Sequence, residues 1–318
     1  MTVLILEPLE ADVVQWLAER HDARFAPELV GDVDRLLEAL QDSRALIAPP
    51  EVRIDAELLR GAPTLRAIGR ASGGSENIDI EACRQAGVEV VRSQTSTAAA
   101  EAEFAIGALL SLLRRVPVEG SDGLKVGREL GCATVGVLGM TPATQVLAQL
   151  LQAFGARVVG YDPAVHPSDG TWTRWGVEAL GLGELLEQGD GVVVLLPYFE
   201  RYRGLLGERQ LDGVRAGQVL VNLGHSGLVE EKALARALRS GRLRAAWFDS
   251  MEPGWLESGR PLHGVGTLQV TPRLAGTTRE SRVRAAWAVA RAIDALLGPP
   301  QPAKARGGEA KVKVPGYY

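Results

Sequence analysis

Residues 134–162 read TVGVLGMTPATQVLAQLLQAFGARVVGYD, and this stretch decides the fold. The apolar run 134–138 is typical of a buried parallel strand. Apolar side chains then recur at helical spacing over 142–154, and the apolar run 157–161 predicts a second strand that ends at Asp162. A strand, a turn, a helix and a second strand, closed by an acid, form the layout of a dinucleotide-binding unit.

The turn of this unit departs from the G-x-G-x-x-G pattern of dinucleotide sites, because only its first glycine is kept. Its six positions are Gly139, Met140, Thr141, Pro142, Ala143 and Thr144. Pro142 suits a first helical position, Thr141 is a good helix cap, and a helix N-terminus attracts phosphate whatever its sequence. Two interpretations stay open here. Either these residues bind a pyrophosphate, or the unit keeps its packing without a nucleotide.

Asp162 stands where an acid accepts hydrogen bonds from the adenosine ribose hydroxyls and repels a 2′-phosphate. This placement predicts NAD rather than NADP. The alternative is a solvated aspartate that starts the turn Asp162-Pro163.

Composition limits the class of protein. The 318-residue chain is 46% hydrophobic and 23% charged with a formal net charge of −4, which fits a soluble globular protein and predicts no nucleic-acid or membrane partner. No apolar run has membrane-spanning length, and the N-terminus lacks the basic region of a signal peptide. Cys83 and Cys132 have no metal-ligand spacing, so we expect no metal and a reducing, cytoplasmic location.

The segments on both sides of the unit also alternate apolar strands with helices, which indicates an α/β fold with a largely parallel sheet. Before the unit, the sequence predicts strands at 2–6, 45–48, 65–69 and 88–91 and helices at 11–19, 33–40, 56–59, 78–86 and 97–115. After it, the sequence predicts a loop at 164–175, strands at 191–196, 218–222, 244–248 and 268–271, and helices at 180–188, 230–240 and 278–297.

Ligands of open α/β sheets bind beyond the carboxyl ends of the strands. The residues that follow predicted strand ends are Asp162, Pro197, His225, Asp249 with nearby Glu252, and Arg273. We expect the cofactor to contact Gly139, Thr141, Pro142, Ala143, Thr144, Asp162, Pro197 and Asp249.

A loop rich in glycine and serine, 69–79, follows the predicted strand 65–69. Backbone N–H groups in such a loop can hold a carboxylate or a phosphate, so it is a candidate substrate loop. Its candidate ligands are Arg70, Ser72, Gly73 and Gly74. The alternative is a connector capped by Asn77. Residues 299–318 are rich in proline and glycine and predict a flexible tail.

Several segments together resemble the D-isomer-specific 2-hydroxyacid dehydrogenases, the family of D-3-phosphoglycerate dehydrogenase. They are GRASGGSENIDIEA (69–82), AEFAIGALLSLLRR (102–115), GVEALGLGELLEQGDGVVVLLP (176–197), YRGLLGERQL (202–211), AGQVLVNLGHSGLVEEKALARAL (216–238) and VTPRLAGTT (270–278). The resemblance implies a flavodoxin-like substrate domain, 1–95 plus 278–298, with a doubly wound Rossmann-type nucleotide domain, 96–277, inserted in it. It also implies NAD, a small 2-hydroxy or 2-keto acid as substrate, and a homodimer.

The resemblance places the family's catalytic positions on altered residues. The family arginine that holds the substrate carboxylate corresponds to His225, and the family general acid/base histidine corresponds to Arg273. Glu252 is the best match to the glutamate that orients that histidine, with a spacing about two residues short. An exchanged pair supplies what hydride transfer to a 2-keto acid needs, with Arg273 holding the carboxylate and His225 moving the proton. Two alternatives stay open: a changed reaction or substrate, and a non-catalytic scaffold or regulatory dimer.

Overall fold

The computed structural model describes residues 3–72, 77–93, 95–115, 118–119 and 121–298. The chain divides into two compact units, Met1–Thr97 with Arg279–Tyr318, and Ala98–Thr278. The predicted tail 299–318 and the candidate ligands Gly73 and Gly74 lie outside the described residues.

The first unit contains a five-stranded parallel sheet flanked by helices. Its strands are β1 (Val3–Ile5), β2 (Ala23–Phe25), β3 (Ala45–Ile47), β4 (Ala67–Arg70) and β5 (Glu89–Arg92), and its helices are α1 (Ala11–Arg20), α2 (Val33–Leu40), α3 (Ala56–Arg60) and α4 (Ile80–Gln85). The strand order β2-β1-β3-β4-β5 is the flavodoxin-like order. The sequence does not predict β2, because this three-residue edge strand has an exposed arginine at its centre and no apolar run.

The second unit begins with the long helix α5 (Ala98–Arg115) and the short hairpin strands β6 (Val118–Glu119) and β7 (Lys125–Val126). Its main sheet contains β8 (Thr134–Leu138), β9 (Arg157–Tyr161), β10 (Glu178–Ala179), β11 (Gly191–Val194), β12 (Gln218–Asn222), β13 (Leu243–Phe248) and β14 (Leu268–Val270). Its other helices are α6 (Pro142–Phe154), α7 (Gly170–Trp175), α8 (Leu182–Gln188), α9 (Glu208–Asp212) and α10 (Glu231–Arg239).

All neighbouring strands of the main sheet are parallel, in the order β10-β9-β8-β11-β12-β13-β14. The chain winds outward from β8 on one side and returns to β11 on the other, so the topological switch point lies between β8 and β11. The predicted fold class, a Rossmann-type domain with a flavodoxin-like one, is therefore confirmed. Helix α5 packs its buried alanines and leucines into the core on one face of this sheet, as its largely apolar sequence indicates.

The last helix, α11 (Arg279–Leu297), belongs to the first unit, where it packs against α1, β4 and β5. The His21 imidazole Nε2 lies 2.8 Å from Asp294 Oδ1, which ties the end of α1 to α11. None of the helices in the described part of the chain combines the length and the apolar character needed to cross a membrane.

The predicted loop 164–175 is wrong over its second half, where α7 forms. The prolines and glycines of this stretch favour a loop, but the Asp169 carboxylate accepts the Thr171 N–H and caps the helix. Trp172 is buried in the same core as α5 and α6, which stabilises a helix too short to form by propensity alone. The helix ends at Gly176, which has a φ of +65°.

Candidate active site

The turn after β8 lies directly against the chain that leaves β11. Gly139 has a φ of +105°, and a Cβ atom there would lie 2.6 Å from the backbone N and Cα of Leu196. Only glycine satisfies both the left-handed conformation and this approach. The one glycine that the turn has kept is thus the one that the switch point requires.

Two threonines replace the other glycines without blocking the turn. Thr144 is fully buried, and its Oγ1 donates to the Gly139 carbonyl at 2.5 Å. The Thr141 Oγ1 accepts the Thr144 N–H at 3.4 Å, and the Thr141 N–H is 3.3 Å from the Thr144 Oγ1, which completes a capping box. Because the Thr144 side chain points into the protein and α6 keeps a capped N-terminus beside half-exposed Thr141 and Pro142, these residues fit a bound pyrophosphate.

Asp162 ties the end of β9 to this turn. Its Oδ2 accepts the Met140 N–H and its Oδ1 accepts the Ala164 N–H, both at 2.7 Å. The side chain is nearly buried, and each oxygen keeps a second acceptor site. The carboxylate is therefore held in place and fits the ribose hydroxyls that the sequence assigned to it.

His225 follows β12 and caps the short 3-10 helix Ser226–Leu228. Its Nδ1 accepts the Gly227 N–H at 3.0 Å. One face of the half-buried ring lies on Tyr198, with ring centroids 4.4 Å apart and planes inclined by 32°. Since a nitrogen that accepts an N–H carries no proton, the hydrogen-bond network assigns the ring proton to Nε2.

The segment after β11 supplies a group of charged side chains around this ring. The Tyr198 hydroxyl donates to Glu200 Oε2 at 2.6 Å, and Arg203 Nε donates to Glu200 Oε1 at 2.6 Å. The Arg203 guanidinium holds the pKa of the Glu200 carboxyl below its usual value, and the hydrogen bond to Glu200 raises the pKa of the Tyr198 phenol. Tyr198 therefore keeps its proton at neutral pH.

Sequence reasoning did not find Tyr198, Glu200 or Arg203. It stopped at Pro197, the residue before this group, which is exposed. The available signal was the sequence YFERYR (198–203) directly after this strand end, in which every residue except Phe199 has a polar tip.

Glu252 lies beside His225. The Glu252 N–H donates to Ser226 Oγ at 3.0 Å, and its carboxylate Oε1 is 3.7 Å from an Arg203 nitrogen. A Cβ atom on Gly227 would be 3.1 Å from that Oε1 and 3.0 Å from His225 Nδ1, so the two groups border one small space.

Asp249 organises the loop that carries Arg273. Its Oδ1 accepts the Thr271 hydroxyl at 2.7 Å and the Leu274 N–H at 2.8 Å, and its Oδ2 accepts the Ala275 N–H at 2.8 Å. The carboxylate is buried, and protein groups donate these three hydrogen bonds to it. Asp249 therefore positions this loop, and its predicted contact with the cofactor stays a prediction.

Arg70 is a buried residue at the start of the candidate substrate loop. It is 2% exposed, and its guanidinium donates to Ser72 Oγ and Asn77 Oδ1. The buried Glu7 carboxylate accepts the N–H groups of Ala71 and Ser72 at 3.0 and 2.6 Å. These contacts hold the start of the loop in place, and the substrate contact of Arg70 stays a prediction.

Asn77 does not cap α4, as the alternative interpretation of this loop required. Asp79 does, since its carboxylate accepts the Ala82 N–H. In the parts of the chain that the structure describes, no group of three or more His, Cys, Asp or Glu side chains is placed to hold a metal ion.

Comparison with known proteins agrees with this geometry. Residues 113–275 match the model of the D-isomer specific 2-hydroxyacid dehydrogenase, NAD binding domain. The chain belongs to this family. The NAD-binding character expected from the strand-turn-helix unit is thereby confirmed, and NAD is the cofactor of the domain that the chain contains.

Relatives match along nearly the whole chain. The (S)-sulfolactate dehydrogenase of Chromohalobacter salexigens is 34% identical over 305 residues, which cover 93% of this chain and 98% of that protein. The D-3-phosphoglycerate dehydrogenase of Mycobacterium tuberculosis is also 34% identical over 305 residues, but these cover only 56% of that longer protein. The chain thus spans about half the length of the phosphoglycerate dehydrogenases that it matches.

A solved structure shares the fold. The TT0316 protein of Thermus thermophilus is 29% identical, aligns over 95% of this chain and 99% of its own, and gives a TM-score of 0.75.

Proposed function

We propose that this protein is an NAD-dependent oxidoreductase that interconverts a small 2-hydroxy acid and the corresponding 2-keto acid. The observation that carries the proposal is the placement of His225 and Arg273 beyond the ends of β12 and β14, in the sheet whose β8–α6 turn keeps a capped helix N-terminus. When NAD is bound, its nicotinamide supplies or accepts the hydride. Side chains of this chain are assigned to holding the cofactor and the substrate.

The cofactor is assigned to the turn and the end of β9. The α6 N-terminus, with Gly139, Thr141, Pro142, Ala143 and Thr144, holds the pyrophosphate through its helix dipole and N–H groups. The Asp162 carboxylate holds the ribose hydroxyls and disfavours a 2′-phosphate. The catalytic set is the altered one of the sequence, in which Arg273 binds the substrate carboxylate and His225 acts on the carbonyl group.

We also propose a cellular location and an assembly for this protein. We place it in the cytoplasm, because Cys83 and Cys132 are free thiols. We propose a homodimer formed through α5 and the adjoining hairpin, where Leu124 and Val126 expose 62% and 51% of their surface. Sedimentation of the purified chain measures the assembly directly, and a monomer at micromolar concentration would contradict this interface.

The test of the proposed function is a calorimetric titration with NADH and NADPH, followed by a panel of 2-keto acids. We expect micromolar NADH binding, about −8 kcal/mol, and much weaker NADPH binding. His225→Leu is the matched variant, because it should keep NADH affinity and lose turnover.

Two results would contradict the proposal. If neither nucleotide binds, the turn has lost its cofactor and the scaffold interpretation takes its place. If NADH binds and no 2-keto acid is reduced, the chain is an NAD-binding scaffold and not a dehydrogenase.

A further inference from the structure

The ring of His225 is contacted on two of its sides. The Gly227 N–H points at Nδ1 from 3.0 Å, and the Tyr198 ring covers one face at 4.4 Å between centroids. The backbone N–H cannot rotate away, because Gly227 is buried and belongs to the 3-10 helix that His225 caps. A proton on Nδ1 would face this N–H, donor against donor.

We propose that His225 acts as a neutral hydrogen-bond donor through Nε2–H toward the substrate's carbonyl or carboxylate oxygen, and not as the group that transfers the proton. The identity of the substrate rests on the proposed function. The position of the ring proton rests on the geometry alone. A neutral imidazole that carries its proton on Nε2 polarises an oxygen as a positioned donor does in an oxyanion hole.

Charged groups of both signs lie around the ring. The carboxylates facing it are Glu200, from the segment after β11, and Glu252, from the segment after β13. Arg203 contacts both of them, at 2.6 and 3.7 Å, and so offsets their negative charge. The Tyr198 hydroxyl is directed to Glu200 at 2.6 Å.

In this proposal Arg273 and His225 do not simply exchange the roles that arginine and histidine have in the family. His225 takes over the donor role of the arginine that the family has at this position, and its own Nε2–H bond is never broken. The hydride that reaches the carbonyl carbon is balanced by a proton that reaches the carbonyl oxygen from solvent. Arg273 stays charged throughout, since a guanidinium does not lose its proton in proteins.

The first test is nitrogen NMR of the protein labelled at the histidine rings. The signals of His225 are identified among the four histidines by their loss in His225→Gln. We expect Nδ1 without a proton and Nε2 with one in the neutral ring at pH 8. A neutral ring that carries its proton on Nδ1 would overturn the proposal, whatever the activity.

The second test uses two variants that each keep half of the imidazole's hydrogen bonds. His225→Asn keeps an acceptor for the Gly227 N–H but has no donor at the Nε2 position, whereas His225→Gln keeps that donor. With NADH and a 2-keto acid such as glyoxylate, kcat/KM should fall roughly 10²–10³-fold in the asparagine variant, the usual effect of removing one donor. In the glutamine variant it should fall only about tenfold.

Equal losses in the two variants, together with an acid limb in the wild-type pH profile that both variants lack, would identify His225 as the proton-transfer group and overturn the proposal. If the wild-type protein reduces no 2-keto acid, the proposed function fails, and the nitrogen spectrum still decides the state of the ring.

Discussion

The backbone N–H of Arg273 donates to the backbone carbonyl of Asp249 at 2.5 Å, while the Asp249 carboxylate holds the two residues that follow Arg273. Arg273 is the one non-glycine residue with a positive φ, +56°, in the described part of the chain. The candidate substrate-binding arginine is thus presented on a strained turn that a single buried carboxylate stabilises. Strain of this kind persists where surrounding contacts over-determine the backbone.

Replacing Asp249 by asparagine should destabilise the second unit. The amide would set its NH₂ group against a backbone N–H that now donates to a carboxylate oxygen, and the lost charge-assisted bonds should cost about 2–3 kcal/mol. Urea unfolding measures the change. The matched control is Asp212→Asn. Asp212 is exposed and makes only a long ion pair, 3.5 Å, with Arg236, so this substitution should change the free energy of unfolding by less than about 0.5 kcal/mol. Equal effects of the two substitutions would refute the role given to Asp249.

The backbone strain at Arg273 predicts an inverted glycine effect. Arg273→Gly should be more stable than Arg273→Ala by about 1 kcal/mol, because glycine adopts the left-handed conformation without the steric cost of a Cβ. At Arg282, which is exposed on α11, the same pair should show the ordinary order, with glycine less stable than alanine by about 1 kcal/mol. Thermal or urea unfolding of the four variants gives the comparison. The same order at both positions would mean that residue 273 is not left-handed.

The Thr144 hydroxyl should matter more than its methyl group. Thr144→Val keeps the shape and removes the donor to the Gly139 carbonyl, which should cost about 1–3 kcal/mol because that carbonyl is buried beneath the turn. Thr144→Ser keeps the donor and should cost less. Unfolding in urea and NADH titration check both variants, and we expect the valine variant to bind NADH more weakly. A serine variant as unstable as the valine variant would show that the methyl packing dominates.

If Arg273 and His225 act on one substrate, their substitutions should be coupled. The double variant His225→Arg with Arg273→His restores the residues that the resemblance assigns to these two positions in the family. Expressed as free energy, the loss in kcat/KM of the double variant should be smaller than the sum of the losses of the two single variants, with a coupling energy of about 1 kcal/mol or more. Steady-state kinetics on the four proteins completes the cycle. Additive losses within experimental error would indicate that the two side chains act independently.

Much of the fold could be predicted from residue spacing. The predicted strands 134–138, 157–161 and 218–222 and the predicted helix 142–154 agree with the structure at both ends. All four segments have a strong apolar pattern. The helix also has a cap and a proline at its start and Gly155 in the left-handed conformation at its end. Short elements such as β2, β10 and α7 were missed, because their few residues carry no period and are stabilised by neighbours distant in sequence.

The sequence by itself determined the order of strands and helices, the dinucleotide layout and the positions that follow the strand ends, since these depend on local periodicity and chain direction. Only the tertiary structure decided which contacts those positions make. The Asp249 carboxylate is committed to Ala275, 26 residues away, and the His225 ring is fixed by Tyr198 from another strand end. Such hydrogen bonds and ring contacts join residues that are distant in sequence, so no local sequence pattern predicts them.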